Sequence, residues 1–264
     1  MSVIDQSDKH IKIEYKINGF LKEFNSSYQN IKIVNTNKFG HSLFLDDCLQ
    51  SAQKDEYIYH ETMVHSLLST ISAKNILILG GSEGYLAREI VKWPNISRID
   101  QVDWDEDLVN YYRSIGNYLD SNVNIYHEDA VKFLKKTNIK YDAIFVDLID
   151  PSVETLDFFK ELILLVLGCL TEHGGFIANV GSVSPLERGC ADDLALWLKD
   201  KILNRRAMRV HVPSFMEAWC FLMGSKSLTE TDYLPETRFF DKDTLSYISR
   251  WSKDYSEDLR FFNE

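Results

Sequence analysis

The chain has 264 residues, 45% of them hydrophobic and 26% charged, enough to bury a full core as one large domain or as a large domain with a small appendage. Its formal net charge of −11 works against a nucleic-acid partner, because such binding needs clustered Lys and Arg to release counterions. The opening "MSVIDQSDKHIKIEYKI" has no basic stretch followed by an apolar one, and no window approaches about eighteen uninterrupted apolar residues, so no membrane partner is expected and the cytoplasm is the expected location.

From Lys12 to about Leu49, short alternating stretches, "IKIEYKI", "NIKIVNT" and "SLFLDD", predict antiparallel strands with one wet face. Asp55 to Thr70 follows with Tyr59, Met63, Leu67 and Leu68 on helical spacing after an acidic first turn, which predicts a linking helix. The rhythm then becomes strand, turn and helix: "NILILGG" before "GYLAREIVKW", "ISRIDQVDWD" before "EDLVNYYRSI", "NVNIYHED" before "AVKFLKK". It continues with "YDAIFVDLID" before "DFFKELILLVLGCL" and "GGFIANVGS" before "DDLALWLKDKI". This alternation predicts an α/β fold, a doubly wound, mostly parallel Rossmann-like sheet of the methyltransferase type, with a small N-terminal antiparallel β domain. Two late runs, "AMRVHVPS" and "AWCFLMGSK", predict an antiparallel edge pair. "SLTETDYLPETRFFDKDTLSYISRW" predicts a surface loop and a final helix, and the amphipathic "YISRWSKDYSEDLRFF" a packed or dimer-covering helix. The expected division is 1–62 for the β domain with its linker and 63–264 for a nucleoside-binding catalytic domain. Cys48, Cys169, Cys190 and Cys220 are far apart with no CxxC pair, as expected of buried thiols rather than disulfides or a thiolate metal site.

Ligands of such sheets bind beyond the carboxyl ends of the strands, at the point where the strand order reverses. Each strand end here carries acid: Glu83, then Asp103 and Asp105, then Asp129, then Asp147 and Asp150. Gly80, Gly81 and Gly84 allow a tight turn and close approach of a ligand. The turn is not a GxGxxG fingerprint, since a carboxylate at the helix start repels a pyrophosphate, so a nucleoside without phosphates fits better. Asp103, about 20 residues beyond the glycines, stands where an acid takes ribose hydroxyls, or it caps the following helix. Asp129 is open to the same two roles, toward an adenine amino group or as a cap. Glu83, Asp147 and Asp150 together repel one another unless cations share their space. No His or Cys accompanies them at ligand spacing, so no metal is expected. A sulfonium donor beside a cationic amine acceptor satisfies all three.

These segments resemble the aminopropyltransferases, the spermidine and spermine synthases, over nearly the whole chain. "SSYQNIKIVNTNKFGHSLFLDDCLQSAQKDEYIYHETMVH" is similar to that family's N-terminal β domain and linker, with Gln29, Gln50, Asp55, Glu56, Tyr59, His60 and Glu61 in register. "ILILGGSEGYLARE" resembles its GGGDGG segment, "VDWDEDLV" its V-E-I-D-x-x-V-I, "EDAVKFL" its G-D-G-x-x-F-L and "YDAIFVDLIDP" its Y-D-x-I-x-x-D-x-x-D-P. "VPSFMEAWCFLMGSK" is nearer the spermine and thermospermine branch. The resemblance implies transfer of the 3-aminopropyl group of decarboxylated S-adenosylmethionine to a polyamine amine, releasing methylthioadenosine, by a homodimer. Donor contacts would come from Gln29, His60, Gly80, Gly81, Glu83, Asp103, Asp129 and Ala130. Asp147 would accept a proton from the attacking amine, with Tyr59 beside it, and Asp150, Phe215 and Trp219 would line the acceptor. From the residues alone, Tyr59 is equally a core aromatic and His60 a surface or core histidine.

The chain departs from the pattern at several places. Glu83 replaces Asp, Tyr85 replaces Gly, the loop after the D-P pair is the shortened "SVETLDFF", Phe215 replaces a tyrosine, and "NVGSVS" lacks an acid or glutamine. Two alternatives therefore stay open. One is the same fold using intact S-adenosylmethionine to move a 3-amino-3-carboxypropyl or methyl group onto a non-polyamine acceptor, such as a microcin C-like nucleotide-peptide intermediate, although Glu83 would then face the donor's own carboxylate. The other is an inactive nucleoside-binding regulatory paralogue.

Overall fold

A computed structural model describes residues 1–6, 11–118, 122–229 and 231–263. Strands β1 (Ser2–Asp5), β2 (Ile13–Asn25), β3 (Asn30–Thr36), β4 (Gly40–Leu45) and β5 (Cys48–Ala52) form an antiparallel sheet in sequential order. Alternation over Lys12–Leu49 located β2, β3 and β4; it missed β1 and β5, strands of four and five residues too short to display a period. Helix α1 (Glu56–Leu68) leads into the α/β part.

There, β6 (Asn75–Gly80), α2 (Tyr85–Ile90), β7 (Arg98–Val102), α3 (Glu106–Ser114), β8 (Val123–Tyr126), α4 (Ala130–Lys136), β9 (Tyr141–Asp147), α5 (Leu156–Cys169), β10 (Leu170–Val183) and α6 (Cys190–Leu198) alternate. The edge pair is β11 (Asn204–Val212) with β12 (Glu217–Ser225). The strand order is β11-β12-β10-β9-β6-β7-β8, parallel from β10 to β8 and antiparallel at β11 and β12. The central strands are apolar throughout because both faces are covered. In β6, Leu77 and Leu79 pack under α4, α5 and α6, whereas Ile76 and Ile78 pack under α1 and α2. Leu108 and Tyr112 of α3 instead join Ile31, Ile33 and Leu43, so this helix binds the N-terminal sheet to the main one.

Two expectations are corrected. The amphipathic run from Tyr247 to Phe262 is not one helix: α7 (Lys242–Ile248) ends and α8 (Glu257–Arg260) begins anew under a Ser256 cap. Between and beyond them, Trp251 Nε1 donates to the Ala207 carbonyl (3.1 Å) and Asn263 Oδ1 accepts the Ala207 amide (2.6 Å), covering the outer edge of β11. Those edge contacts outweigh helical continuation. The four thiols are free, but only Cys169 and Cys220 are buried; Cys48 and Cys190 are half-buried.

A carboxylate fastens α1. Glu61, buried on that helix, accepts the backbone amides of Arg238 (2.9 Å), Phe239 (2.7 Å) and Phe240 (3.1 Å). At the centre, Gly80 pairs with Asp147 across β6 and β9, the point where the strand order reverses. Its φ is +86°, and a Cβ there would lie 1.9 Å from the Asp147 carbonyl oxygen. Glycine is demanded by a neighbouring strand rather than by a ligand. Gly80→Ala is expected to lower the unfolding free energy by about 2–4 kcal/mol, from a left-handed backbone plus overlap. A urea titration checks this, with a shifted midpoint at constant slope; a loss under about 1 kcal/mol would mean that β6 and β9 part freely.

Candidate active site

Beyond the carboxyl ends of β6, β7 and β9 lies a cleft with a cavity volume of about 190 Å³, walled on its far side by β5 and by the β11–β12 turn. Every residue expected to contact donor or acceptor lines it, whereas Gly84, Asp105, Glu61 and Tyr85 do not. At one end are Gln29, Asp103, Asp129 and Ala130; in the middle Gly80, Gly81, Glu83 and His60; at the other end Tyr59, Asp147, Asp150, Phe215 and Trp219.

Each acid is held by a neutral donor. Ser51, at the end of β5, donates its hydroxyl to Glu83. Tyr59, on α1, donates to Asp147 Oδ1 (2.6 Å). Asn179, on β10, donates from Nδ2 to Asp150 Oδ1 (2.8 Å), while its Oδ1 accepts from Trp219 Nε1 (2.8 Å) and the Gly181 amide (3.0 Å). Asp103 Oδ1 accepts the Asp105 amide (2.9 Å). The cap of α3 is Asp105, whose Oδ1 accepts the Leu108 amide (3.2 Å), so capping does not account for Asp103. Asp129 does cap α4, through the Lys132 amide (2.8 Å), and faces the cavity as well.

No lysine or arginine pairs with Glu83, Asp103, Asp147 or Asp150 among the described residues. Burial accordingly pushes Glu83 and Asp103 each up to about 7, and the Coulomb repulsion of Asp147 adds to both. Asp147 is raised by burial against the pull of His60 and the Tyr59 hydroxyl. Asp150 rises to about 6 for the same first cause, but stands exposed at the mouth, where water screens it most. Burial disfavours the charged His60 imidazole, yet the Glu56 carboxylate 3.0 Å away outweighs it and holds His60 above its ordinary value. Glu56 is itself tied to Arg88 (2.9 Å). Tyr59, Phe215 and Trp219 form an aromatic wall beside Asp147, with Phe215 and Trp219 centroids 4.7 Å apart.

Ser51 and Asn179 were not legible beforehand, because each meets a carboxylate through tertiary contact. Asp105 and Asp55 were singled out, but not what they hold: Asp105 caps α3, and Asp55 accepts the Ser214 amide (2.6 Å) and pins the turn carrying Phe215.

The spermine/spermidine synthase domain model matches residues 56–234. The chain belongs to the spermine/spermidine synthase family. The model of the spermidine synthase tetramerisation domain matches residues 3–53. Among family relatives, the polyamine aminopropyltransferase of Sulfolobus acidocaldarius is 31% identical over 245 residues, 86% of this chain and 78% of that protein. Polyamine aminopropyltransferase 2 of Bacillus cereus is 33% identical over 82% of this chain, which spans 61% of that relative's length. A crystal structure of a spermidine synthase in complex with the transition state analogue AdoDATO superposes with a TM-score of 0.87 at 19% identity, covering 98% of this chain and 94% of that one. The spermidine synthase from Thermotoga maritima superposes at 0.86 and 18%. At such identities the likeness establishes the fold, that of the spermine/spermidine synthase family.

The raised acids have a consequence for stability. Between the ordinary carboxylate range and about 7, the folded chain holds protons on Glu83 and Asp103 that the unfolded chain has released. Stability therefore falls as pH rises through that window. The melting temperature of the free protein is expected to drop between pH 5.5 and 8, less steeply in Glu83→Gln. A melting temperature that stays level or climbs over this range would contradict the assignment.

Proposed function

We propose that this protein transfers the 3-aminopropyl group of decarboxylated S-adenosylmethionine to an amine nitrogen of a polyamine, releasing methylthioadenosine. The observation that carries this is one cleft in which Glu83, Asp103 and Asp147 converge from three strand ends with no lysine or arginine to neutralise them among the described residues. A cation is the missing partner, and the relatives' names support a polyamine.

The roles follow from placement. Asp103 takes the ribose hydroxyls, with Gln29 at the same end, and Asp129 and Ala130 border the base. Glu83 and His60 flank the aminopropyl chain, whose ammonium stabilises the ionised form of Glu83. At an effective dielectric of about 20, an ammonium roughly 4 Å from a carboxylate gains on the order of 4 kcal/mol before desolvation, enough to offset the burial that raises Glu83. The acceptor's ammonium end lies against Asp147, and the aromatic wall of Phe215 and Trp219 receives its methylenes while Asp150 waits at the mouth.

Asp147 takes a proton from the acceptor ammonium, and the lone pair so freed attacks the aminopropyl carbon attached to the sulfonium. The carbon–sulfur bond breaks with its electron pair going to sulfur, leaving a neutral thioether and a secondary ammonium. Burial, by raising Asp147, makes it a stronger base, and the Tyr59 hydroxyl fixes the other lobe of the carboxylate. Sulfonium is already a good leaving group, so alignment supplies most of the acceleration. No metal is needed for this step. The tetramerisation-domain match over residues 3–53 supports an oligomer assembled through the N-terminal sheet; light scattering distinguishes a dimer from a tetramer.

Incubation with both sulfonium donors and a panel of amines tests the proposal. Methylthioadenosine together with an aminopropylated amine is the expected result. Adenosylhomocysteine, or a product carrying a 3-amino-3-carboxypropyl group, would transfer the site to intact S-adenosylmethionine. Asp147→Asn is expected to lower kcat by about 10²–10⁴-fold with donor affinity changed less than about threefold; undiminished turnover would remove Asp147 from the step. Asp103→Ala is expected to weaken the donor by about 10–100-fold, through two lost charge-assisted hydrogen bonds, and equal donor affinity would end its ribose role.

A further inference from the structure

At the nucleoside end, Trp104 follows Asp103 at the position where the V-E-I-D pattern has isoleucine. Its indole is 47% exposed yet lines the cavity beside Gln29, Asp103 and Ala130. It stacks face to face on Tyr28, with ring centroids 5.0 Å apart and planes within 5°, and Tyr28 is itself 54% exposed. Neither ring belongs to any hydrophobic core cluster. Two large aromatic rings held half in water at a cavity's edge gain little from folding alone.

The stack is held in place. Tyr28 sits in the connection between β2 and β3, where Ser26 Oγ and Gln29 Nε2 both donate to Asp105 Oδ2 at 2.7 Å. Asp105 Oδ1 meanwhile caps α3. The strand connection and the Asp103–Asp105 segment are thus joined by two hydrogen bonds and by the stack of the Trp104 indole on Tyr28. A base attached to a ribose held by Asp103 lies one ring away from that carboxylate, within reach of the residue next in sequence.

We propose that Trp104 is a specificity and positioning residue for the donor's nucleobase: its cavity face stacks on the base, and Tyr28 supports its outer face. Trp104 has this role only if the cleft takes a nucleoside donor, as proposed above. A π-face discriminates flat aromatic bases from other groups and leaves the reacting end untouched. Its removal therefore acts on donor affinity and not on the chemical step.

Methylthioadenosine is the probe. Trp104→Ile is expected to raise its Kd about tenfold, with kcat at saturating donor and the acceptor KM within twofold of the parent. Trp104→Phe keeps a π-face and is expected to retain most of the affinity. Methylthioadenosine is expected to quench indole emission in the parent protein and much less in Trp104→Phe. Tyr28→Ala, which leaves the indole without its support, is expected to give a smaller loss of the same kind. An unchanged Kd in Trp104→Ile, or an equal loss in Trp104→Phe, overturns the assignment while aminopropyl transfer stands. Failure of the parent protein to bind methylthioadenosine at all overturns both.

Discussion

Like charges crowded into one recess impose the constraint on which the rest of this structure depends. Glu83, Asp103, Asp147 and Asp150 share a cleft, and each is steadied by a donor with no charge of its own. Those donors come from the N-terminal sheet, helix α1, the start of α3 and strand β10. The carboxylates therefore hold distant parts of the chain around the cleft, and their mutual repulsion is relieved by holding protons or by the arrival of a cation.

The chain treats its structural acids differently. Burial alone would raise Glu89, yet His65, Lys92 and Arg88 hold it down at about 2. Asp100 is met by Arg98, Tyr141 and Asn124, and Glu56 by His60 and Arg88. Glu89, Asp100 and Glu56 each touch a cation. Glu83, Asp103, Asp147 and Asp150 touch no lysine or arginine among the described residues. Carboxylates raised by burial in a cleft, with no such partner, mark a candidate site on physical grounds.

Much of this was legible in the sequence because two periodicities report directly on burial. Alternation marked the N-terminal strands, and apolar runs followed by amphipathic stretches marked the doubly wound sheet, whose strand ends carry the acids. The strand-end acids and glycines of the lining followed, since position at a strand end is a local property, whereas Gln29, Tyr59, His60, Phe215 and Trp219 were reached only through the family resemblance. Contacts across the fold were not legible. Nothing near Ser51 shows that its hydroxyl meets Glu83, and nothing near Asn179 shows that it joins Asp150 to Trp219. Asp103 and Asp105 are two residues apart and chemically identical, so only geometry could assign the cap to the second. The run from Tyr247 to Phe262 has a helical period, but the exposed edge of β11 competes for its polar groups, a competition that a hydrophobic pattern does not record.

Glu61 lies one helical turn or less from Tyr59 and His60, and its carboxylate is satisfied by amides of residues 238–240. Those amides come after the last strand of the seven-stranded sheet, whereas α1 precedes its first. One buried carboxylate thus clasps the two ends of the α/β part together, and losing its three donors would leave an anion sealed away from water.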